Sequence, residues 1–550
     1  MVKRPLLLGI GIIAATVILQ RTSVFIASQT TITAINVLTN RDDISRSNVY
    51  AQESILKPSN VTPSTFGRLF TRAVQGDIYA QPLYVSGLVI PGKGTRNVVF
   101  VATAHNVVYA FDADDPAQSA PLWMVSFGDP FTANLSPNDI WDGEDGVLGT
   151  PVIDLDSDTL YVVAHHNGGG VIMDSEASAP PVPYHDLHAL DIATGAEKFG
   201  GPVRIEGSSS GSGWGSANGV IPFDSNKHLQ RPGLLLLNGA LYIAFGSTHD
   251  DYPSHGWIFA YNAHNLSKNI VWNVTPTVGM GGIWQSGAGI ASDGKDLFVS
   301  TGNGSYDGRT DFGDSVLKLN PSLVVLDWFT PSNQCYLNEY DRDMGSTGPV
   351  FVPETGQVIA GNKQGDLYIL DETNLGKYAP NQPCDIASDP DDNPQIPEWA
   401  EVGNGAMFDT PIYWNSPQLG PLIFTWTSKD TPKSFSLDGG LIPLPLTPLS
   451  AGVALSNGTP GDTLALSTNG SLPGTAILWG SQVAKTLCAH CGVLYAWDAN
   501  DLSKQLWSSE MNTTRDSYGN VSKFNSPTIA NGKVYVGTFS NRLDVYGLLN

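Results

Sequence analysis

A short apolar strand ending in aspartate or asparagine recurs along the chain, and this repeat limits the fold more than any other feature. It reads "VVYAFDA" at 107–113, "LHALDIATG" at 187–195, "IFAYNAHNL" at 258–266 and "LYAWDANDL" at 494–502. The endings fall at Asp112, Asp191, Asn262, Asn320, Asp371, Asp438 and Asp498, and "LDVYGLL" at 543–549 offers an eighth. Another apolar run precedes each ending, such as "TLYVVA", "ALYIAFGS" or "KVYVGTFS". Further upstream comes a third run, often opened by Pro, as in "QPLYV", "TPVID" and "GPVFV". A fourth follows the ending and often carries Trp, as in "PLWMV", "IVWNV" and "QLWSS". Each unit therefore holds about four short strands rich in Val, Ile, Tyr and Phe, separated by turn residues. No stretch sustains helical periodicity over three turns.

Four-stranded units repeated around an axis are the blades of a β-propeller. The expectation is an all-β fold: an eight-bladed β-propeller of four-stranded antiparallel blades over residues 66–550. Seven blades is the alternative, because the Pro-, Gly- and Leu-rich stretch 438–475 marks its units weakly and also reads as an insertion or an irregular inner strand. Asp112 is expected to begin the turn into the outer strand. The recurrent alanines suit close sheet packing, and the tryptophans suit wedges between blades. The last blade, with strands at 526–547, is expected to take its outer strand from "FGRLFTRAV" at 66–74, which removes exposed edges.

Hydrophobic residues make up 41% of the chain and charged residues 15%, enough apolar material for a large core. A net charge of −23 argues against nucleic acid and anionic membrane surfaces as partners. Lys3 and Arg4 before the apolar run Leu6 to Leu19 make residues 1–27 a signal peptide or an uncleaved signal anchor. Membrane contact is then expected only through that segment, and the protein is expected to be secreted, extracellular, or periplasmic or cell-surface. Residues 28–65, rich in Ser, Thr and Asn, read as a flexible linker or poorly ordered arm. Four cysteines fit one or two disulfides in an exported chain. In "CAHCG", Gly492 stands where a haem-attachment motif needs His, so no haem is expected. Nine Asn-x-Ser/Thr sequons, Asn60, Asn134, Asn273, Asn457 and Asn512 among them, are candidate glycosylation sites.

Over most of 70–550 the chain resembles the quinoprotein alcohol dehydrogenase-like propellers with pyrroloquinoline-quinone repeats, and a secreted group of these in particular. The phrases that carry the resemblance include "YAFDADDPAQSAPLW", "YAWDANDLSKQLW", "GTPVIDLDSDTLYVVA", "GGIWQSGAGIA", "TGNGSYD" and "NGKVYVGTFSNRLDVYGLL". The resemblance implies an eight-bladed scaffold and permits a quinone (PQQ) with Ca²⁺ in the central funnel. In characterised members an adjacent Cys-Cys disulfide covers one face of the quinone and a Trp the other. This chain has no adjacent cysteine pair, and without haem any electron acceptor would be external.

Polar residues that a blade scaffold does not need are the candidates for chemistry. Arg231, Lys363, Lys433 and Lys523 come from four different units and could converge on the axis to bind an anionic ligand, with Trp284 and Gln285 of "GIWQSG" beside them. The alternative is that each cation pairs with a neighbouring carboxylate. His105, His255 and Asp314 are the weaker catalytic candidates. Asn303, Asp307 and Asp311 in "GNGSYDGRTDFGDS" offer oxygen ligands for Ca²⁺, although the EF-hand spacing is missing. Two functions follow. One is a quinone-dependent dehydrogenase of alcohols or sugars. The other is a non-catalytic propeller that binds glycans, envelope components or proteins.

Overall fold

The computed structural model describes residues 34–132, 135, 140, 143–168, 182–377, 386, 398–443, 446–456, 462–483 and 490–549. The expected signal segment, Cys384, Cys488, Asn134 and Asn457 lie outside the described residues. Eight antiparallel sheets follow one another along the chain as the blades of a propeller. Blade 1 is Leu83–Ile90, Gly94–Thr103, Val107–Asp112 and Trp123–Ser126, and blade 2 is Val152–Asp154, Thr159–His166, Tyr184–Asp191 and Val203–Arg204. Blades 3 to 6 have their second strands at Ala240–Ser247, Leu297–Ser300, Gln357–Gly361 and Gly420–Thr425. Blade 7 runs from Thr463–Ser467 to Asp501–Ser508. The weakly marked stretch therefore contains the short outer strand of blade 6, Ser450–Ala451, and the inner strand of blade 7, which removes the seven-blade alternative.

Blade 8 closes the ring as the pattern predicts. Its strands Thr528–Ala530, Lys533–Gly537 and Arg542–Leu548 accept Phe66–Ala73 as the outer strand, with Phe66 opposite Leu548 and Ala73 opposite Arg542. Phe66 drives this pairing, since its ring packs 5.0 Å from Trp507 and 5.4 Å from Trp479 of blade 7.

The recurrent strand ending has a local cause. Asp112 Oδ1 accepts hydrogen bonds from the amides of Asp114 and Asp115 at 2.9 and 3.0 Å. Asp191, Asn262, Asn320, Asp371 and Asp498 each accept an amide two residues on in the same way. A short side-chain oxygen that bonds its own turn is what this position needs, and Asp and Asn supply it. The Trp after the ending docks on the next blade: Trp123 Nε1 donates to Ile192 O at 2.9 Å, and a Cβ on Gly195 would lie 2.7 Å from its ring.

From Ile35 onward, the expected linker is instead an ordered arm at the centre of the ring. Asn36–Val37 adds antiparallel to the inner strand of blade 1, and Val49–Tyr50 adds parallel to that of blade 7. Between them the arm bonds to blade 2 (Ile153 N to Leu38 O), blade 4 (Ser292 N to Ile44 O) and blade 5 (Phe351 N to Ser45 O), each at 2.8–3.0 Å. Composition misleads here because the partners of this backbone lie far along the chain, from Tyr84 on blade 1 to Ser467 on blade 7. Tight coiling puts Arg41, Asp42, Arg46 and Asn48 at positive φ, between 55° and 75°. Such residues persist only where surrounding structure holds them. Arg46 does so from within: fully buried, it donates to the carbonyls of Asn40, Leu234 and Ile290.

Candidate functional site

Just before each inner strand, the chain turns onto the ring axis. Residues at those turns in blades 3, 4, 5, 6 and 8, together with the loops between the second and third strands of blades 3 and 5, line a cavity of about 260 Å³. Its walls are Arg231, His249 and Asp250 from blade 3, Trp284 and Ser286 before blade 4, and Asp341, Asp343 and Lys363 around blade 5. Phe408 before blade 6 and Lys523 and Phe524 before blade 8 complete it. The arm's bonds fall slightly further along the same inner strands, at Leu234, Ile290 and Thr410, so the arm backs the cavity.

Trp284 forms a flat surface because three glycines let it. A Cβ on Gly246, Gly282 or Gly302 would lie 2.9, 2.6 or 3.2 Å from the indole. The turn that presents it is strained, with φ of 48° at Gln285 and 44° at Ser286. Each such residue costs about 1–3 kcal/mol and must be held in place. Gln285 holds it: its amide donates to Ala288 O (3.0 Å) and Gly289 O (2.9 Å) and its Oε1 accepts Ser300 N (3.0 Å). Gln285 is therefore a buried support beneath Trp284, not a lining residue.

The cations divide into two groups. Arg231 sits over aromatic faces, 5.6 Å from the Trp284 ring and 5.2 Å from Phe524, and Lys523 Nζ lies 5.0 Å from Phe524. Phe408 stacks with Phe524 at 6.0 Å. Lys363 instead lies between two carboxylates, 2.5 Å from Asp341 Oδ1 and 2.5 Å from Asp343 Oδ2. Burial works against its charge, but Asp343 and Asp341 outweigh that and hold it protonated. Burial raises the pKa of Asp343 despite Lys363, and nearby Asp341 adds to the rise. Asp250 is pushed up to about 6 by burial, against the hydrogen bond from Ser247. Carboxylates with raised pKa values beside fixed cations suit general-base work near neutral pH.

Of the residues singled out in the sequence, Arg231, Lys363, Lys523 and Trp284 meet in this cavity. Lys433 does not. It pairs with Asp430 at 2.6 Å and lines a separate groove with Glu401, Phe435 and Leu446. His105 is bonded to Glu144 at 2.9 Å on blade 1. His255 is buried between the Thr275 and Trp214 carbonyls. Asp314 is fully buried and accepts from Gln334 at 3.0 Å; burial, then Asp343, raises its pKa well above the carboxylate range. Asn303 borders the site, its amide donating to Asp341 at 2.8 Å. Asp307 accepts amides of its own loop, and Asp311 accepts from Ser305 and from Thr277 after the outer strand of blade 3, so both carboxylates are engaged in holding the loop. Among the sequons, Asn273 is 4% exposed and bonded to Ser209, which closes it to a glycan.

No family profile and no curated protein matches the chain. Among solved structures, the quinohemoprotein alcohol dehydrogenase of Comamonas testosteroni superposes with a TM-score of 0.57, covering 93% of this chain and 80% of that one at 14% identity. A quinohemoprotein alcohol dehydrogenase of Pseudomonas putida HK5 gives 0.56, with 94% and 80% covered at 14% identity. The chain has the fold of the quinoprotein alcohol dehydrogenases. At this identity the likeness concerns the fold, and the chemistry rests on the cavity.

Within this cavity, sequence reading missed Asp341, Asp343, Phe408 and Phe524. A positional signal was available. "DRDMGS", "MFD" and "KFN" occupy the same place before an inner strand as "QRPG" and "WQSG".

Proposed function

We propose that the protein is an exported quinone-dependent dehydrogenase of alcohols or sugars, with pyrroloquinoline quinone in the axial cavity and a divalent cation such as Ca²⁺ beside it. The observation that carries this reading is the meeting of Arg231, Lys363 and Lys523, from three blades, around the indole of Trp284. Trp284 would carry the plane of a flat tricarboxylate, and Arg231 and Lys523 its negative charge. Oxygen donors for a hard cation lie alongside: Asp341, Asp343 and the buried Oδ1 of Asn303, which lacks a hydrogen-bond partner among the described residues. When bound, the quinone supplies a hydride acceptor.

The protein's own part is to bind, orient and move a proton. Asp250 takes the substrate hydroxyl proton, and Lys363 fixes the orientation of Asp341 and Asp343. Phe408 and Phe524 exclude water from that side. Electrons then leave to an external acceptor. Export through residues 1–27, with disulfides among the four cysteines, belongs to the same reading. A non-catalytic propeller that binds a glycan or protein is the second reading, favoured by the ion pairs that already engage Lys363.

The experiment is titration of cofactor-free protein with pyrroloquinoline quinone in Ca²⁺, for wild type, Arg231→Ala and Lys523→Ala. Each charge-assisted contact is worth about 1.5–3 kcal/mol, so each variant should bind at least roughly tenfold more weakly. Tight binding that ignores both substitutions removes this assignment of residues. No binding by wild type at micromolar quinone removes the dehydrogenase reading and leaves the second.

A further inference from the structure

Blade 2 concentrates histidine: His165 and His166 lie in Thr159–His166, and His185 and His188 in Tyr184–Asp191. Register sorts them onto two faces. His185 is directly opposite His165, and the two rings stack at 3.8 Å. On the other face Tyr184 is opposite His166, Asp186 opposite Ala164, and His188 opposite Val162. Paired residues share a face and alternate ones along a strand return to it, so His166, Asp186 and His188 stand together. Their ligand atoms all lie within 4.8 Å of one another.

Three observations set this cluster apart from histidines that merely fill a core. First, His166 and His188 are only 5% and 6% exposed, yet the Nε2 atom of each has no hydrogen-bond partner among the described residues. A buried polar atom left in this way is costly and calls for a ligand. Second, His188 Nδ1 is bonded to Glu197 at 2.9 Å, which turns its Nε2 toward His166 and Asp186. A carboxylate behind an imidazole is the usual support of a metal-binding histidine. Third, Ala164 opposite Asp186 leaves room on the face, while Phe127 stacks on His188 at 3.9 Å and Tyr184 on His166 at 4.7 Å, which fixes both rings.

We propose that His166, Asp186 and His188 bind a divalent transition-metal ion of the zinc type, through the two Nε2 atoms and Asp186 Oδ2, with Glu197 as the residue that orients His188. Two imidazoles and one carboxylate suit zinc, whereas calcium and magnesium prefer oxygen alone. His166 Nε2 and Asp186 Oδ2 are 4.0 Å apart. Tetrahedral ligands at zinc bond lengths stand roughly 3.3 Å apart, so closure needs side-chain rotation and no backbone movement. Arg204 bonds the other oxygen, Oδ1, at 2.9 Å and leaves Oδ2 for the ion. Asp186, Glu197 and Arg204 together carry one net negative charge, which accepts a cation. The side chain of Asp186 is 15% exposed, so water can take the fourth position. Phe127, which follows the outer strand of blade 1, stacks on His188, and Pro130 bridges to His166, so the ion would sit where blade 1 meets blade 2.

The test is isothermal titration of chelator-treated full-length protein with Zn²⁺, for wild type, His188→Ala, Asp186→Asn and Glu197→Gln, with circular dichroism to confirm that each is folded. Wild type should bind one equivalent at micromolar concentration or tighter. His188→Ala and Asp186→Asn should lose this binding, and Glu197→Gln should weaken it by about 10–100-fold. Substitution with Co²⁺ should give the visible absorption of four-coordinate cobalt in wild type and not in Asp186→Asn. No Zn²⁺ binding by folded wild type overturns the proposal. So does binding of equal affinity in wild type and Asp186→Asn.

Discussion

Two neighbouring parts of the ring, the arm and the cavity, both draw on turns at the start of inner strands, yet they differ in what their charges face. Where the arm lies, every guanidinium is fully bonded. Arg41 reaches Asp409 at 2.8 Å and the Thr410 carbonyl at 2.7 Å, and the second oxygen of Asp409 takes the Leu464 amide at 2.7 Å. Arg46 is bonded to carbonyls from three directions. In the cavity, Asp341 and Asp343 share one lysine, and Asp250 is pushed up to about 6 by burial. The arm uses charge to fix the fold. Burial works against charge in both regions, pushing Arg46 down to about 9 and Asp409 up in the arm and Asp343 up in the cavity, but the arm's groups are enclosed by the fold whereas those of the cavity line open space, where chemistry is found. The comparison can be broken by substitutions that separate stability from ligand binding.

The largest effect belongs to ring closure, which both regions depend on. Deleting residues after 540 removes the strand Arg542–Leu548 and leaves Phe66–Ala73 without a partner. The truncated chain should fail to give a cooperative melt, and an unchanged thermal midpoint would contradict closure at that blade. Next comes the arm. Arg41→Ala leaves Asp409 buried without its ion pair, a loss of about 3–5 kcal/mol. Chemical denaturation should register it, and a loss below 1 kcal/mol would show that the arm is decoration (threshold taken as roughly the worth of an exposed ion pair).

In the cavity the order reverses. Asp343→Asn should change stability little, since it removes a like charge from Asp341 as well as a partner from Lys363. It should nevertheless abolish quinone-dependent turnover, read as dye reduction with an alcohol or sugar substrate. If Asp343→Asn unfolds the protein as Arg41→Ala does, the two regions are not different in kind.

The smallest effect is a pH dependence. Asp250 has a folded pKa of about 6, above its unfolded value near 3.9. The folded state therefore holds a proton that the unfolded state has released, and stability falls as pH rises through that window. Asp250→Asn removes this cost, so the variant should be more stable than wild type at pH 7 and lose that advantage by about pH 4. Unfolding curves at the two pH values check the sign.

Much of this was legible in the residues. The Asp and Asn endings, the Pro-opened inner strands and the closing strand at 66–73 are local patterns with local causes. Arg231, Lys363, Lys523 and Trp284 were legible because each is polar or bulky where a blade needs neither. Lys433 was misjudged because it begins the third strand of blade 6, away from the axis, where Asp430 neutralises it. The arm was illegible because nothing in "NVLTNRDDISRSNVY" announces that its backbone will bond to other blades. The blade 2 histidines were passed over because period-2 alternation brings them together only once the strand register is known.

The central claim is that the axial cavity holds a quinone and a cation. Native mass spectrometry of the purified protein, with and without added pyrroloquinoline quinone and Ca²⁺, tests it most directly. The account predicts a mass increase of one quinone and one calcium that survives buffer exchange and is lost in Arg231→Ala. A chain that stays at its bare mass in micromolar quinone and excess Ca²⁺ contradicts it.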